Sequence, residues 1–223
     1  HDQVLATTIR LSRETEDSDA WRSYTRAFIA EFAARGGDEY EATVRDFASS
    51  ENPDIAWRAR RALAARGLVD ADAIEAWRSA DGSGEAARMS VEALASLPLE
   101  DARSRAWESV YSESLSNDFL TATLAGLNAS SWEGDSGLDS AVDRLRPYWE
   151  AHTIGMALRY ANGVLAYGLD IDREGSVERS VGLLRGWLDA HGDAPAQLRR
   201  IVLEHLDAFE RDERVQRRWG SGQ

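Results

Sequence analysis

NPDIAWRARRALAARGLVDADAIEA, from Asn52 to Ala76, carries a complete helix with both ends written into it and the opening of the next. Asn52 followed by Pro53 is an N-cap with proline at the first helical position, where the missing N–H is not needed. Arg66-Gly67-Leu68 is the matching stop, a glycine free to turn left-handed with an apolar residue behind it. Between them Ile55, Ala59, Ala62 and Leu63 fall on one stripe that must meet a neighbour. Asp72 with Glu75 three residues on reads as a capping box, so a short link joins two helices into a hairpin.

The same punctuation recurs along the 223 residues. Ala, Leu, Arg and Glu dominate, and no stretch sustains the two-residue alternation of a strand. The spacing predicts about eleven helices, over Ala20 to Arg35, Glu39 to Ser49, Pro53 to Arg66, Asp72 to Ala80, Glu85 to Leu97 and Leu99 to Glu113 in the first part. Asn117 to Leu127, Leu138 to Glu150, Ile154 to Leu169, Ser176 to His191 and Pro195 to Arg218 follow. Short links stack such helices as hairpins, and without a fixed period the array is an all-α, irregular α-solenoid of antiparallel, HEAT-like pairs. Two breaks rich in polar residues, Asn128 to Gly137 and Tyr167 to Ser176, are too short for interdomain linkers, which favours one helical domain over residues 1–223.

Composition narrows the function classes. A chain that is 43% hydrophobic has ample material for a core, and the absence of cysteine excludes disulfides and thiolate metal sites. That absence fits a reducing, cytoplasmic setting. Thirty-nine acidic residues against 26 basic ones, all arginine, leave a net charge of −13. Such a surface repels phosphate, and Arg199-Arg200 and Arg217-Arg218 are isolated pairs, so neither nucleic acid nor an anionic membrane is an expected partner. No apolar run is long enough to cross a bilayer, and no signal-peptide pattern opens the chain.

Patterns that imitate chemistry have plainer readings. Asp170, Asp172, Glu174 and Gly175 resemble the start of a calcium loop, but Val181 stands where a bidentate glutamate must close the sphere. Gly82, Gly84 and Ala87 follow a helix, not a strand, so they begin a helix and do not cradle a dinucleotide. The histidines His1, His152, His191 and His205 are never three to five residues apart, the spacing that two helical zinc ligands need. His205 lies by the apolar stripe of Leu198, Val202 and Phe209 and reads as a hydrogen-bonded, partly buried side chain. His191 sits at a helix C-terminus, where a cation suits the dipole. No serine elbow or cysteine offers a nucleophile. Of the eight tryptophans most read as packing, with arginines beside them, as in Trp57-Arg58 and Trp77-Arg78, covering their rims; Trp132 stands apart in the polar break. No catalytic or metal residue is assigned to this chain.

Four segments carry a resemblance. NPDIAWRARRALAARGLVDADAIEA from Asn52, LSNDFLTATLAGLN from Leu115, WEAHTIGMALRYANGVL from Trp149 and APAQLRRIVLEHLDAFER from Ala194 resemble, in order and spacing, the C-terminal helical domain of bacterial, actinobacterial-type aminopeptidase N zinc peptidases. Coverage runs from about Ala48 to Arg211, while residues 1–47 match only as generic amphipathic helices. The resemblance implies a parent enzyme whose separate catalytic domain binds zinc through an HExxH helix and a downstream glutamate. This chain has no HExxH, so none of those residues is carried over. Its implied role is that of a non-catalytic domain, read as a C-terminal piece of the parent, that closes over the active-site chamber and controls peptide access. Its implied partners are that catalytic domain and the peptide substrate. Arg159 and Tyr160 fall in a matched segment without an assignable role. Leu99 departs from the capping serine or threonine expected there, and Asn128 to Gly137 departs from the family's GQxELL-like continuation. A free-standing helical scaffold binding a protein or peptide is the alternative.

Overall fold

A computed structural model describes residues 2–14, 19–112, 115–130, 137–166 and 176–219. Among them every regular element is helical, and the chain divides into two compact units, His1–Glu133 and Gly134–Gln223. The division falls inside the polar break that follows Asn128. No helix of the described residues is long and apolar enough to cross a membrane.

The first unit contains α1 (Asp2–Glu14), α2 (Asp19–Arg35), a 3₁₀ turn (Asp38–Tyr40), α3 (Glu41–Ala48), α4 (Pro53–Ala65), α5 (Ala71–Ala80), α6 (Gly84–Ser96), α7 (Glu100–Val110) and α8 (Asn117–Ala129). Helices pair in sequence as α1 with α2, α3 with α4, α5 with α6 and α7 with α8. The second members then pack on one another in order, α2 on α4, α4 on α6, α6 on α8, which makes them a continuous layer with the first members laid against it. Its core runs through Leu5, Ile9, Phe28, Ile29, Phe32, Val44, Ile55, Ala59, Ala62 and Leu63 and continues at Ala64, Ile74, Ala93, Leu97 and Ala102.

α4 shows why these residues form these helices. Asn52 Oδ1 accepts from the backbone N–H groups of Asp54 at 3.1 Å and Ile55 at 3.4 Å. At the other end Gly67 adopts φ +68°, Leu68 donates to the Leu63 carbonyl at 2.9 Å and Gly67 to that of Ala64 at 2.9 Å, a complete Schellman closure. The expected stripe of Ile55, Ala59, Ala62 and Leu63 is fully buried.

Three expectations need correction. α5 is capped by Asp70, whose carboxylate accepts from Ala73 N–H at 2.9 Å, and not by Asp72; Glu75 instead pairs with Arg78 on its own helix. The single helix expected over Leu138 to Glu150 is two, α9 (Leu138–Asp143) and α10 (Leu145–Ala151), parted at Arg144. Pro147 is the reason: it has no N–H for the Asp143 carbonyl four residues back, and its ring crowds that carbonyl. Finally, α1 lies outside every predicted helix. Its core-facing stripe ends in a polar residue, Ser12, whose hydroxyl meets that of Thr25 at 2.7 Å with both residues buried.

α7 begins at Leu99, an N-cap with no side-chain hydrogen bond and 53% exposed. Leu99→Ser is therefore expected to stabilise the first unit by about 1 kcal/mol. Equilibrium denaturation checks this, and an unchanged midpoint would show that water already serves the first-turn N–H groups as well as a hydroxyl does.

The second unit adds α11 (Ile154–Ala166), α12 (Ser176–Ala190) and α13 (Ala196–Trp219) to α9 and α10. α9 packs on α10, α11 and α12, and α13 packs on α11 and α12. Tyr160, 1% exposed, donates its hydroxyl to the Ala141 carbonyl at 2.8 Å and so ties α11 to α9. Its ring stacks on Tyr148 at 3.9 Å, and Tyr148 stacks on His152 at 3.8 Å. Arg199 of α13 closes the end of α12, donating to the carbonyls of Leu188 at 2.9 Å and His191 at 2.6 Å. The Leu188 carbonyl lies in the last turn of α12, where carbonyls lack partners within the helix, and the guanidinium satisfies it while opposing the negative end of the dipole; the His191 carbonyl, just past the helix, also accepts from the Ala194 N–H at 3.1 Å. Arg60 treats the end of α3 the same way, donating to the Ala48 carbonyl at 3.0 Å.

Candidate functional site

Because α2, α4, α6 and α8 are each the second member of a hairpin, they run in one direction and present their N-termini along one edge. Each carries an acid in its first turn: Asp19, Asp54, Glu85 and Asp118. Negative charge there is favoured by the unpaired N–H groups of the helix start. One turn further in stand Arg22, Arg58 and Arg88, paired with Asp19, Asp54 and Glu85 respectively. The result is a charged face built from separate helices.

Pairs across helices confirm that these side chains share the face. Arg26 of α2 reaches Asp54 of α4 at 2.9 Å, and Arg61 of α4 reaches Glu92 of α6 at 2.5 Å. Arg88 binds Glu85 with two donors, at 3.1 and 2.5 Å, and lies 3.9 Å from Glu92. Burial deepens inward: the Asp19 side chain is 92% exposed, that of Glu92 only 10%. Burial alone would raise the Asp54 carboxyl, but the hydrogen bonds from Arg26 and Arg58 outweigh it and hold the group below its ordinary range. Glu85 is held low chiefly by its hydrogen bonds from Arg88. The arginines of this face are thus engaged with its own carboxylates, in outer pairs of small energetic weight and one inner pair at Glu92 whose disruption would strand a largely buried charge.

Elsewhere on α4 the aromatic–arginine arrangement differs from the sequence expectation. Arg58 and Arg78 do not cover tryptophan rims, since they bind Asp54 and Glu75. Arg60 does so instead, with its guanidinium 4.9 Å from the Trp57 ring centroid and 5.3 Å from that of Trp77. Adjacent residues on a helix diverge by about 100°, whereas residues three apart share a face. Trp57 is 1% exposed and its indole N–H reaches Asp81 at 3.3 Å. Asp81 is held below the usual carboxylate range by the Ser83 hydroxyl first and by Trp57 next.

The histidines occupy structural settings. His191 stacks on Trp187 at 4.6 Å and donates from Nδ1 to the Trp187 carbonyl at 2.9 Å. His152 donates from Nδ1 to the Tyr148 carbonyl at 3.0 Å. His205, half-buried, joins α13 to α11 through Asn162 Oδ1 at 3.4 Å, beside the buried Leu198, Val202 and Phe209. Arg159 donates to the Gly155 carbonyl of its own helix, and Tyr160 is core. Ser83 caps α6 through Ala86 N–H, so Gly84 opens a helix as expected. Asp170, Asp172, Glu174, Gly175, Trp132 and His1 lie outside the described residues. Among the described residues no three His, Asp or Glu side chains come together as a metal site. A cavity of about 10 Å³ in the second unit, lined by Leu138, Val142, Leu165, Ser180, Leu184 and Phe209, is about the size that holds one water.

Burial pushes the His205 imidazole below its ordinary value, with Glu204 opposing more weakly. A histidine that is harder to protonate when folded makes the folded state gain relative stability above its unfolded value, about pH 6.5, and lose it as pH falls through the folded value. Between pH 8 and 5 the denaturation midpoint of wild type is expected to fall more than that of His205→Gln, whose amide still donates to Asn162. Parallel pH profiles would refute this assignment.

The fold defines an all-α protein of stacked helical hairpins. Compared with protein-family models and with curated proteins, the chain matches none of them.

Proposed function

We propose that this chain is a non-catalytic helical domain of a zinc aminopeptidase, closing over the active-site chamber and controlling which peptides enter. The observation that carries this reading is the ordered set of four resembling segments. Each begins or lies in a helix that supplies core residues: Ile55 and Leu63 in α4, Leu120 and Leu127 in α8, Tyr160 and Val164 in α11, Leu198 and Val202 in α13. Packing signatures of this kind belong to a wall. The zinc and the bond-breaking groups belong, on this reading, to the catalytic domain of the parent. The charged face of α2, α4, α6 and α8 is the surface suited to line a chamber, because its fixed charges act on a peptide's ends and side chains without holding it tightly.

The coding sequence upstream of His1 tests the proposal. An HExxH motif within several hundred residues of the same reading frame is the expected result, and a start codon close by would favour a free-standing scaffold. Purified chain supplied with zinc and an aminoacyl amide is expected to give no turnover above buffer. Turnover that follows this polypeptide through purification and vanishes on unfolding would overturn the reading.

A further inference from the structure

We draw no further inference here: the strongest candidate, the charged face formed along α2, α4, α6 and α8, belongs to the site already described, its arginines are engaged with its own carboxylates, and nothing in the structure shows what covers it.

Discussion

Trp57→Ala is expected to cost the first unit about 3–5 kcal/mol, the range for emptying a buried tryptophan site. Three losses combine in that variant. The side chain is among the largest of the fully buried ones, so its removal leaves a void that the surrounding structure cannot close without moving. Arg60 loses one of its two aromatic faces, and a guanidinium already partly desolvated is left with Trp77 and the Ala48 carbonyl. The Asp81 carboxylate loses an indole donor, which matters least because Asp81 still has Ser83 and water. Trp57→Phe keeps most of the volume and the ring face, so it is expected to cost less than half as much. Denaturant titration, with hydrogen exchange in α4 as a local readout, distinguishes the two. Equal losses in both variants would place the energy in the indole N–H and not in the packed ring.

What the sequence disclosed, and what it concealed, follows from the range over which each signal acts. The caps of α4 are legible because Asn52, Pro53 and Gly67 satisfy or permit backbone geometry within a few residues of themselves. The break at Arg144 was equally legible, since Pro147 dictates it locally, yet a continuous apolar pattern masks it. Asp72 and Asp70 compete for one helix start, and the choice turns on which backbone is extended, a tertiary matter that spacing alone does not decide. The apolar stripe of α1 has a polar end that makes sense only when Thr25, thirteen residues away, supplies the partner. The charged face is of that second kind. Asp19 with Arg22, Asp54 with Arg58 and Glu85 with Arg88 look in sequence like ordinary pairs within a helix. Only the stacking of alternate helices sets them side by side, so that Arg26 finds Asp54 and Arg61 finds Glu92.

Gly126→Ala is expected to destabilise the first unit, although replacing a mid-helix glycine with alanine ordinarily gains about 1 kcal/mol through helix propensity. Gly126 sits inside α8 where that helix crosses α6, and a Cβ there would lie 2.2 Å from the Glu92 carbonyl oxygen and 2.7 Å from Ala95 Cβ. The first of these is backbone, so no rotamer change relieves it; α6 and α8 must separate. Overpacking of this sort costs about 1–3 kcal/mol, which exceeds the propensity gain and reverses its sign. Separation also strains the segment carrying Glu92, so the Arg61–Glu92 pair should loosen with it. The contrast lies in α12, where Gly182 and Gly186 are exposed and an added Cβ would meet nothing within 4 Å. Gly182→Ala and Gly186→Ala are therefore expected to stabilise the second unit by about 0.5–1 kcal/mol each. The same substitution thus takes opposite signs at helical positions that sequence does not distinguish. Denaturation midpoints of the three variants measure it, and a stabilising Gly126→Ala would mean that α6 and α8 pack less closely than described.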